Sequence, residues 1–224
     1  MNKKVIVYGS RKLGKMIYYD SLDNQEFQIA CFAVDEEYLA DDNSFLGLPQ
    51  VSIKKVVELY PPDEYDMIAL ITEYENMHRR ETMYWKAKDI GYTLRNYISP
   101  SCDIAPDVIM KDNNLIMGQT HIGVGGQMGF NNTIRQQVYL GHDFVIGNNN
   151  VVTAGCKIGG NSEFKNNCYI GLGATIINSL KIAEDTLVGA GSVVIRDTEP
   201  YSKNVGNPSR IIGYHKEDGI KMRF

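Results

Sequence analysis

The adjacent residues His142 and Asp143, together with Gly160, eighteen positions after the histidine, are the best candidates for chemistry in this chain. An imidazole beside a carboxylate is suited to act as a general base, because the anion stabilises the imidazolium that forms on proton uptake. A glycine leaves space above a neighbouring ring, and its backbone N–H can donate to an oxyanion. The alternative is that His142 is an ordinary solvated surface residue. The three residues form a site only if positions eighteen apart are stacked in the fold.

An uninterrupted six-residue repeat from residue 98 to residue 199 predicts such stacking. Every unit begins with an apolar residue, although only 43% of the chain is apolar. The fifth position is mostly small or β-branched, and glycine is frequent at the second. A period of six does not fit a helix. The first positions are Ile98, Ile104, Met110, Ile116, Ile122, Met128, Ile134, Leu140, Ile146, Val152, Ile158, Phe164, Ile170, Ile176, Ile182, Val188 and Val194.

The spacing predicts a parallel β-helix. Six extended residues span roughly 20 Å, so one unit is a short strand with its corner, and three units close a coil of eighteen residues. Positions one and five point inward. Positions three and four point outward, which places Gly160 one coil above His142 and puts Asn149 on the outside. The ends of the coil need caps, which residues 1–97 and 200–224 are expected to supply.

The composition of the chain limits the classes of function that we expect for it. A chain of 224 residues has room for two modest domains, and its net charge of −4 lacks the basic footprint of a nucleic-acid-binding protein. With no signal peptide and no apolar run near eighteen residues, we expect a cytoplasmic protein without a membrane span. Three of the four cysteines fall at inward fifth positions, where small side chains fit. No Cys or His spacing indicates a metal site.

Residues 1–97 alternate between strand and helix patterns, which predicts a small, Rossmann-like α/β domain with a parallel sheet. The expected strands are Lys4–Tyr8, Gln28–Val34 and Asp66–Ile71. The expected helices are Lys12–Asp20, a helix capped by Ser52 and ending at Leu59, and Met77–Ile90.

The turn after the first strand is a candidate anion site, because a helix N-terminus and its N–H groups attract phosphate. It reads Gly9-Ser10-Arg11-Lys12-Leu13-Gly14, and Arg11 and Lys12 are able to add phosphate contacts. A dinucleotide fingerprint requires glycine where Arg11 stands, so the pattern fits a plain tight turn equally well. Asp35 ends the second strand, where a carboxylate either binds a ribose or base or simply occupies a turn.

These features together resemble the NeuD/PglD family of bacterial sugar acyltransferases over nearly the whole chain. The resemblance depends on the Gly9–Gly14 turn, Asp35, the unbroken hexads, His142-Asp143 and a tail at residues 205–210, Val-Gly-Asn-Pro-Ser-Arg. That tail is similar to the VGxPAK ending of acetyl-CoA-dependent hexapeptide enzymes. The resemblance implies a left-handed coil and a homotrimer with active sites between subunits.

The resemblance also implies an activity: N-acetylation, by acetyl-CoA, of a nucleotide-linked amino-deoxy sugar for surface glycan synthesis. His142 takes the acceptor's proton, Asp143 orients His142, and the Gly160 amide stabilises the oxyanion. The N-terminal domain holds the nucleotide sugar. Its implied contacts are Gly9, Ser10, Arg11, Lys12, Gly14 and Asp35. The residues expected beside acetyl-CoA are Gly160, Gly173, Gly191, Pro208 and Arg210.

The chain departs from the family at two points. The middle of the Gly9–Gly14 turn differs from the common GASGHG. Arg135 stands seven residues before His142, where a family member has asparagine. Arg135 is either a cation beside the acceptor pocket, which implies a different sugar, or a solvated wall residue.

Three other functions stay open at this level. The first is O-acetylation of a sugar such as sialic acid by the same base. The second is a non-catalytic β-helix scaffold, which has no need of a His-Asp pair under a glycine. The third is a nicotinamide-dependent enzyme, against which the interrupted glycine pattern argues.

Overall fold

A computed structural model describes residues 3–22, 24, 26–70, 77–216 and 219–220. The chain divides into two compact units, one made of residues 1–72 and 82–97 and the other of residues 73–81 and 98–224. Ile71, the expected end of the third strand, and residues 217–218 and 221–224 of the expected C-terminal cap lie outside the described residues. No helix in the described ranges is long and apolar enough to cross a membrane.

The first unit contains a five-stranded sheet in the order β3-β4-β2-β1-β5. Strands β4, β2, β1 and β5 are parallel, and β3 is antiparallel to β4. The four residues of β1 are all buried, as the apolar run there predicts. The strands are β1 Val5–Tyr8, β2 Ile29–Val34, β3 Ser44–Phe45, β4 Leu48–Ser52 and β5 Asp66–Ala69. The helices are α1 Lys12–Asp20, a 3₁₀ turn Glu36–Tyr38, α2 Val56–Leu59 and α3 Met77–Asp89, of which residues 77–81 group with the second unit.

The expectation that Ser52 caps a helix is wrong. Ser52 is the last residue of β4, and its hydroxyl accepts the Lys54 N–H at 3.2 Å within a turn. The β3–β4 hairpin that supplies this strand is not among the elements predicted from the sequence. Leu46 and Gly47 both have positive φ, 54° and 78°, and reverse the chain there.

The second unit is a coil of two-residue strands in three parallel sheets. Each strand pairs with the strand one coil later, so Leu140 lies beside Ile122 and Ile158. The strands are β6 Tyr97–Ile98, β7 Asp103–Ile104, β8 Ile109–Met110, β9 Leu115–Ile116, β10 His121–Ile122, β11 Gln127–Met128, β12 Thr133–Ile134, β13 Tyr139–Leu140, β14 Val145–Ile146, β15 Val151–Val152, β16 Lys157–Ile158, β17 Glu163–Phe164, β18 Tyr169–Ile170, β19 Thr175–Ile176, β20 Lys181–Ile182, β21 Leu187–Val188 and β22 Val193–Val194.

The inward register predicted from the hexads is confirmed, except in the first hexad, where Ile98 is 38% exposed. First-position residues such as Ile122, Leu140 and Ile158 are fully buried in one continuous core. Cys156 and Cys168 are free and buried at fifth positions, and burial raises the pKa of the Cys168 thiol to about 12. These cysteines are therefore core side chains. Phe144 is a large exception among the fifth positions, and it occupies space left open by a glycine one coil below.

One corner of the coil carries a buried ladder of fourth-position asparagines. The side-chain amide of Asn131 donates to Asn149 at 2.9 Å, and that of Asn149 donates to Asn167 at 2.5 Å. The segment 77–81 of the same unit covers the ladder, and Asn149 also donates to the Met77 carbonyl at 2.8 Å. The expectation that Asn149 faces outward is therefore wrong, since it is 1% exposed.

Replacing Asn149 by aspartate should destabilise the protein. An ionised carboxylate has no hydrogen to donate, and it would face two acceptors, the Met77 carbonyl and the Asn167 side-chain oxygen. We expect Asn149→Asp to lower the free energy of unfolding by at least about 2 kcal/mol in denaturant titrations. The control is Asn161→Asp, since Asn161 is also at a fourth position with positive φ but is exposed. Equal stability of the two variants would contradict the buried ladder.

Two longer strands follow the last hexad. Strand β23, Ser202–Gly206, pairs in parallel with β21 and so extends one sheet of the coil. Strand β24, Ser209–Tyr214, returns antiparallel to β23. The turn between them contains a cis peptide bond from Asn207 to Pro208.

Candidate active site

His142 stands at a corner that backbone hydrogen bonds hold from both sides. The Asp143 N–H donates to the Val124 carbonyl one coil below, at 2.8 Å. The His142 carbonyl accepts the Asn161 N–H from one coil above, also at 2.8 Å. Asp143 has a φ of 52°, a left-handed conformation that aspartate tolerates better than most residues. The corner therefore presents two adjacent side chains that bond to each other.

His142 and Asp143 form a hydrogen-bonded pair. The His142 Nδ1 atom lies 2.8 Å from Asp143 Oδ2. Because an ionised carboxylate only accepts, Nδ1 carries the hydrogen, and the neutral ring then has its lone pair on Nε2. The side chains are 57% and 60% exposed, so a substrate can reach them. This is the arrangement of a general base with its free nitrogen facing away from the carboxylate.

The imidazole packs directly on the Cα of Gly160. A Cβ at residue 160 would lie 2.6 Å from His142 Nε2 and 2.8 Å from two ring carbons, so only glycine admits the ring. The Gly160 carbonyl accepts the Ser179 N–H at 2.9 Å, whereas its own N–H meets no acceptor among the described residues. Gly160 is buried, because the imidazole packs against it from the coil below, so the space expected to be open above His142 is filled by the imidazole itself.

His121 offers a comparison one coil below, on the strand that pairs with β13. Its Nδ1 lies 2.7 Å from Asp103 Oδ2, and its ring stacks on Tyr139 with the ring centres 5.2 Å apart. A His-Asp pair is therefore not unique to position 142. The glycine above the ring is what distinguishes His142. Sequence reasoning missed this second pair, although the eighteen-residue spacing that places Gly160 against His142 also places Asp103 beside His121.

A further residue, Gly125, was also missed. It lies one coil below Asp143, and a Cβ there would be 2.4 Å from Asp143 Oδ1. The signal was available in the sequence, because the spacing from 125 to 143 is the same eighteen residues that link His142 to Gly160.

Apart from the buried Gly160, the residues expected beside acetyl-CoA lie on exposed parts of the second unit. Gly173 and Gly191 occupy fourth positions one coil apart, and a Cβ at either would meet nothing within 4 Å. Pro208 lies in the exposed β23–β24 turn. Arg210, on β24, is exposed and donates to the carbonyl of the adjacent Ser209 at 2.9 Å. Among the described residues, no hydrogen bond or ion pair joins Gly173, Gly191, Pro208 or Arg210 to His142, so a site shared by these residues stays a prediction.

The Gly9–Gly14 turn is shaped first by packing. A Cβ on Gly9 would lie 2.4 Å from the Leu70 carbonyl oxygen, and one on Gly14 would lie 2.5 Å from the Gly9 oxygen. Ser10 is buried and accepts the Gln50 amide at 3.0 Å. The exposed groups of the turn are the cations. The Arg11 guanidinium lies over the Tyr38 ring, 4.4 Å from its centre, and Lys12 begins α1.

Asp35 is already paired on both oxygens. Oδ2 accepts the Tyr8 hydroxyl at 3.0 Å, and Oδ1 accepts Lys86 Nζ at 2.5 Å. Burial raises the pKa of Tyr8 to about 12, so its hydroxyl stays protonated. Burial lowers the pKa of Lys86, but its bonds to Asp35 and Tyr8 outweigh this and raise the pKa overall. A ligand at Asp35 therefore meets a three-residue network, of which the sequence indicated one member.

The remaining predicted residue, Arg135, directly follows β12 and is half-buried. Its backbone N–H donates to the Val152 carbonyl at 2.9 Å.

A pocket in the first unit is lined by residues such as Lys4 and Ile29, where β1 and β2 begin. Gly9 and Asp35 directly follow the last residues of β1 and β2. This pocket is therefore at the other end of the strands from the residues predicted to bind the nucleotide sugar.

Among the described residues, no three His, Cys, Asp or Glu side chains are grouped to hold a metal ion.

Comparison with solved structures shows which known proteins share this fold. The acetyltransferase domain of PglB from Neisseria gonorrhoeae FA1090, solved with acetyl coenzyme A, has a TM-score of 0.84 and 18% identity over 95% of this chain and 100% of that chain. WeeI from Acinetobacter baumannii AYE has a TM-score of 0.79 and 24% identity, over 93% of this chain and 99% of its own.

A third similar structure is a histidine-to-alanine variant of GDP-perosamine N-acetyltransferase from Caulobacter crescentus, solved with CoA and GDP-perosamine. Its TM-score is 0.69, with 21% identity over 94% of this chain and 97% of that chain. No family model matches the sequence, and no curated protein matches it either. At these identities the likeness establishes the shared fold.

Proposed function

We propose that this protein is an acetyl-CoA-dependent N-acetyltransferase of the NeuD/PglD type, acting on a nucleotide-linked amino sugar for surface glycan synthesis. The observation that carries the proposal is the His142–Asp143 pair packed on Gly160. The fold supports it, because a similar structure holds acetyl coenzyme A and another holds CoA with a nucleotide-linked amino sugar. We take the coil to be left-handed and the first unit to be Rossmann-like, as the resemblance implies.

The proposed chemistry is direct acyl transfer. The sugar amine attacks the thioester carbonyl while His142 Nε2 accepts a proton from the nitrogen, and a new N–C bond forms. Asp143 stabilises the resulting imidazolium. The Gly160 N–H, which has no acceptor among the described residues, donates to the oxyanion. The tetrahedral intermediate then collapses and the C–S bond breaks. The CoA thiolate takes up the proton that His142 accepted from the amine.

The acceptor in this proposal is an amine and not a hydroxyl. A similar solved structure is named as a GDP-perosamine N-acetyltransferase, which supports an amino sugar over the O-acetylation alternative. We assign nucleotide-sugar binding to residues 1–97, through the Gly9–Gly14 turn and the network around Asp35, with Arg135 beside the acceptor. The coil, residues 98–199, carries the chemistry, and residues 200–224 cap it. We place the reaction in the cytoplasm.

Arg210 is proposed to contact a CoA phosphate, since its guanidinium is exposed and pairs within the protein with a neighbouring carbonyl. We expect Arg210→Ala to weaken acetyl-CoA binding by about 1.5–3 kcal/mol, the worth of a hydrogen bond to a charged group. The measurement is the KM for acetyl-CoA together with calorimetric titration. Lys54→Ala, which removes another exposed positive charge, is the control. An unchanged KM in Arg210→Ala would remove this residue from the proposed site.

The proposed assembly is a homotrimer with acetyl-CoA between the coils of two subunits. We expect light scattering to give a mass near three times 25.2 kDa. A monomer with full turnover would contradict a site shared between subunits.

Binding of the two substrates tests the proposal before any acceptor is known. A ligand of the native state raises the melting temperature by mass action. We expect acetyl-CoA and at least one of the UDP-, dTDP-, GDP- and CMP-linked sugars to raise it, and inorganic phosphate at the same concentration not to. If acetyl-CoA and every nucleotide sugar leave the melting temperature unchanged, the non-catalytic scaffold becomes the better explanation.

A further inference from the structure

The carboxylate of Asp143 is held between two neighbours. One oxygen, Oδ2, binds His142 Nδ1 at 2.8 Å. The other, Oδ1, lies against the bare Cα of Gly125, at 2.4 Å from where a Cβ would be, and the Asp143 Cγ would be 3.2 Å from it. Gly125 is itself fixed from below, since its N–H donates to Asp107 Oδ2 at 3.0 Å. The His-Asp pair thus lies between two residues that lack a side chain, Gly125 one coil below Asp143 and Gly160 one coil above His142.

Backbone conformation alone does not require glycine at position 125. Its φ is 72°, but other fourth positions of the coil adopt similar values with full side chains, among them Asn131, Gln137 and Asn161 at 58°, 60° and 56°. What distinguishes position 125 is the atom that a Cβ would meet. The nearest one is the tip of a 60% exposed carboxylate, which is free to swing away into solvent. A side chain at 125 therefore adds little steric cost to that of the left-handed backbone, but it moves Asp143 off His142.

We propose that Gly125 is a positioning residue, which keeps the Asp143 carboxylate in register with His142 by leaving the space beneath it empty. This inference rests on the proposed function, because it assigns Gly125 to the orientation of the proposed base. Gly125 acts through Asp143 and does not touch the reacting atoms.

The chain supplies a closely matched control. Gly155 is also at a fourth position, with a φ of 73° and similar half-burial, but the nearest atom to its Cβ would be 3.9 Å away. Gly125→Ala and Gly155→Ala therefore carry the same backbone cost, and only the first displaces Asp143. We expect similar melting temperatures for the two variants. In a crystal structure of Gly125→Ala, the 2.8 Å contact between His142 and Asp143 should be lost, whereas Gly155→Ala should keep it.

Kinetics with acetyl-CoA and GDP-perosamine, or the UDP- and dTDP-linked amino sugars, provide the functional measurement. Gly125→Ala should lower kcat about tenfold, the lower end for loss of a hydrogen bond to a charged group, with KM for acetyl-CoA unchanged. Asp143→Ala should do the same, and adding Gly125→Ala to it should have no further effect, because the clashing carboxylate is gone. If Gly125→Ala folds poorly, the double variant still tests the proposal. Because it lacks the clashing carboxylate, it should have the melting temperature of Gly155→Ala.

The outcomes separate this inference from the proposed function. If the wild-type protein transfers no acetyl group, the proposed function fails, while the crystallographic contact still tests the role of Gly125. If the wild-type protein is active and Gly125→Ala matches Gly155→Ala in kcat and retains the contact, the positioning role is wrong and the proposed function stands. Additive effects of Gly125→Ala and Asp143→Ala would also overturn it.

Discussion

Replacing His142 by alanine should lower kcat by about 10²–10⁴, the usual contribution of a general base. The imidazole nitrogen facing away from Asp143 is the proposed proton acceptor, and no neighbouring group replaces it in the proposed mechanism. Acetyl-CoA binding should survive, because the ring does not hold the thioester. The measurement is initial-rate kinetics for kcat, with calorimetric titration of acetyl-CoA for binding.

His121→Ala is the matched control for that experiment. His121 also pairs with a carboxylate and is 45% exposed, but its ring stacks on Tyr139 instead of a glycine. We expect its kcat to stay at the wild-type value. Near-normal turnover in His142→Ala, or an equal loss in His121→Ala, would contradict the assignment of the base.

Ile158→Asp should abolish folding. Ile158 is fully buried in the coil, paired with Leu140 below and Ile176 above. An aspartate there would be an unpaired charge between coils, and its uncompensated burial costs several kcal/mol, comparable to the whole stability of a domain. We expect loss of the β-sheet circular dichroism signal and aggregation during expression.

Lys157→Asp is the control, because Lys157 precedes Ile158 on β16 and is exposed. The same charge one residue earlier should leave folding intact. If both variants fold equally well, the inward register of the hexads is wrong.

The coil was predictable because its information is local. Each hexad forms its own strand and corner, and the eighteen-residue period identifies the residues one coil away. The burial of Leu140 and Ile158 therefore followed from spacing alone. The same rule placed Gly160 against His142. Applied to residues eighteen positions earlier in the chain, the same rule also places Gly125 below Asp143 and Asp103 beside His121.

What the sequence did not predict depends on contacts between distant segments. Asn149 is buried because the segment containing Met77 covers its corner, and no periodicity encodes that cover. Asp35 is paired by Lys86, fifty-one residues away on α3. The β3–β4 hairpin turns through Leu46, and leucine gives no sign of a left-handed conformation. In each case a tertiary contact or a local strain overrides the pattern.

The most direct test of the proposed activity is product analysis by mass spectrometry and NMR after incubation with acetyl-CoA and nucleotide-linked amino sugars, GDP-perosamine among them. We expect one acetyl group on the amine nitrogen of one such sugar, one CoA released per acetylated product, and product formation by His142→Ala at least about a hundredfold slower than by the wild-type protein. If acetyl-CoA binds, but wild-type protein acetylates none of these sugars, or His142→Ala forms product at the wild-type rate, the proposed acetyl transfer by this site is contradicted.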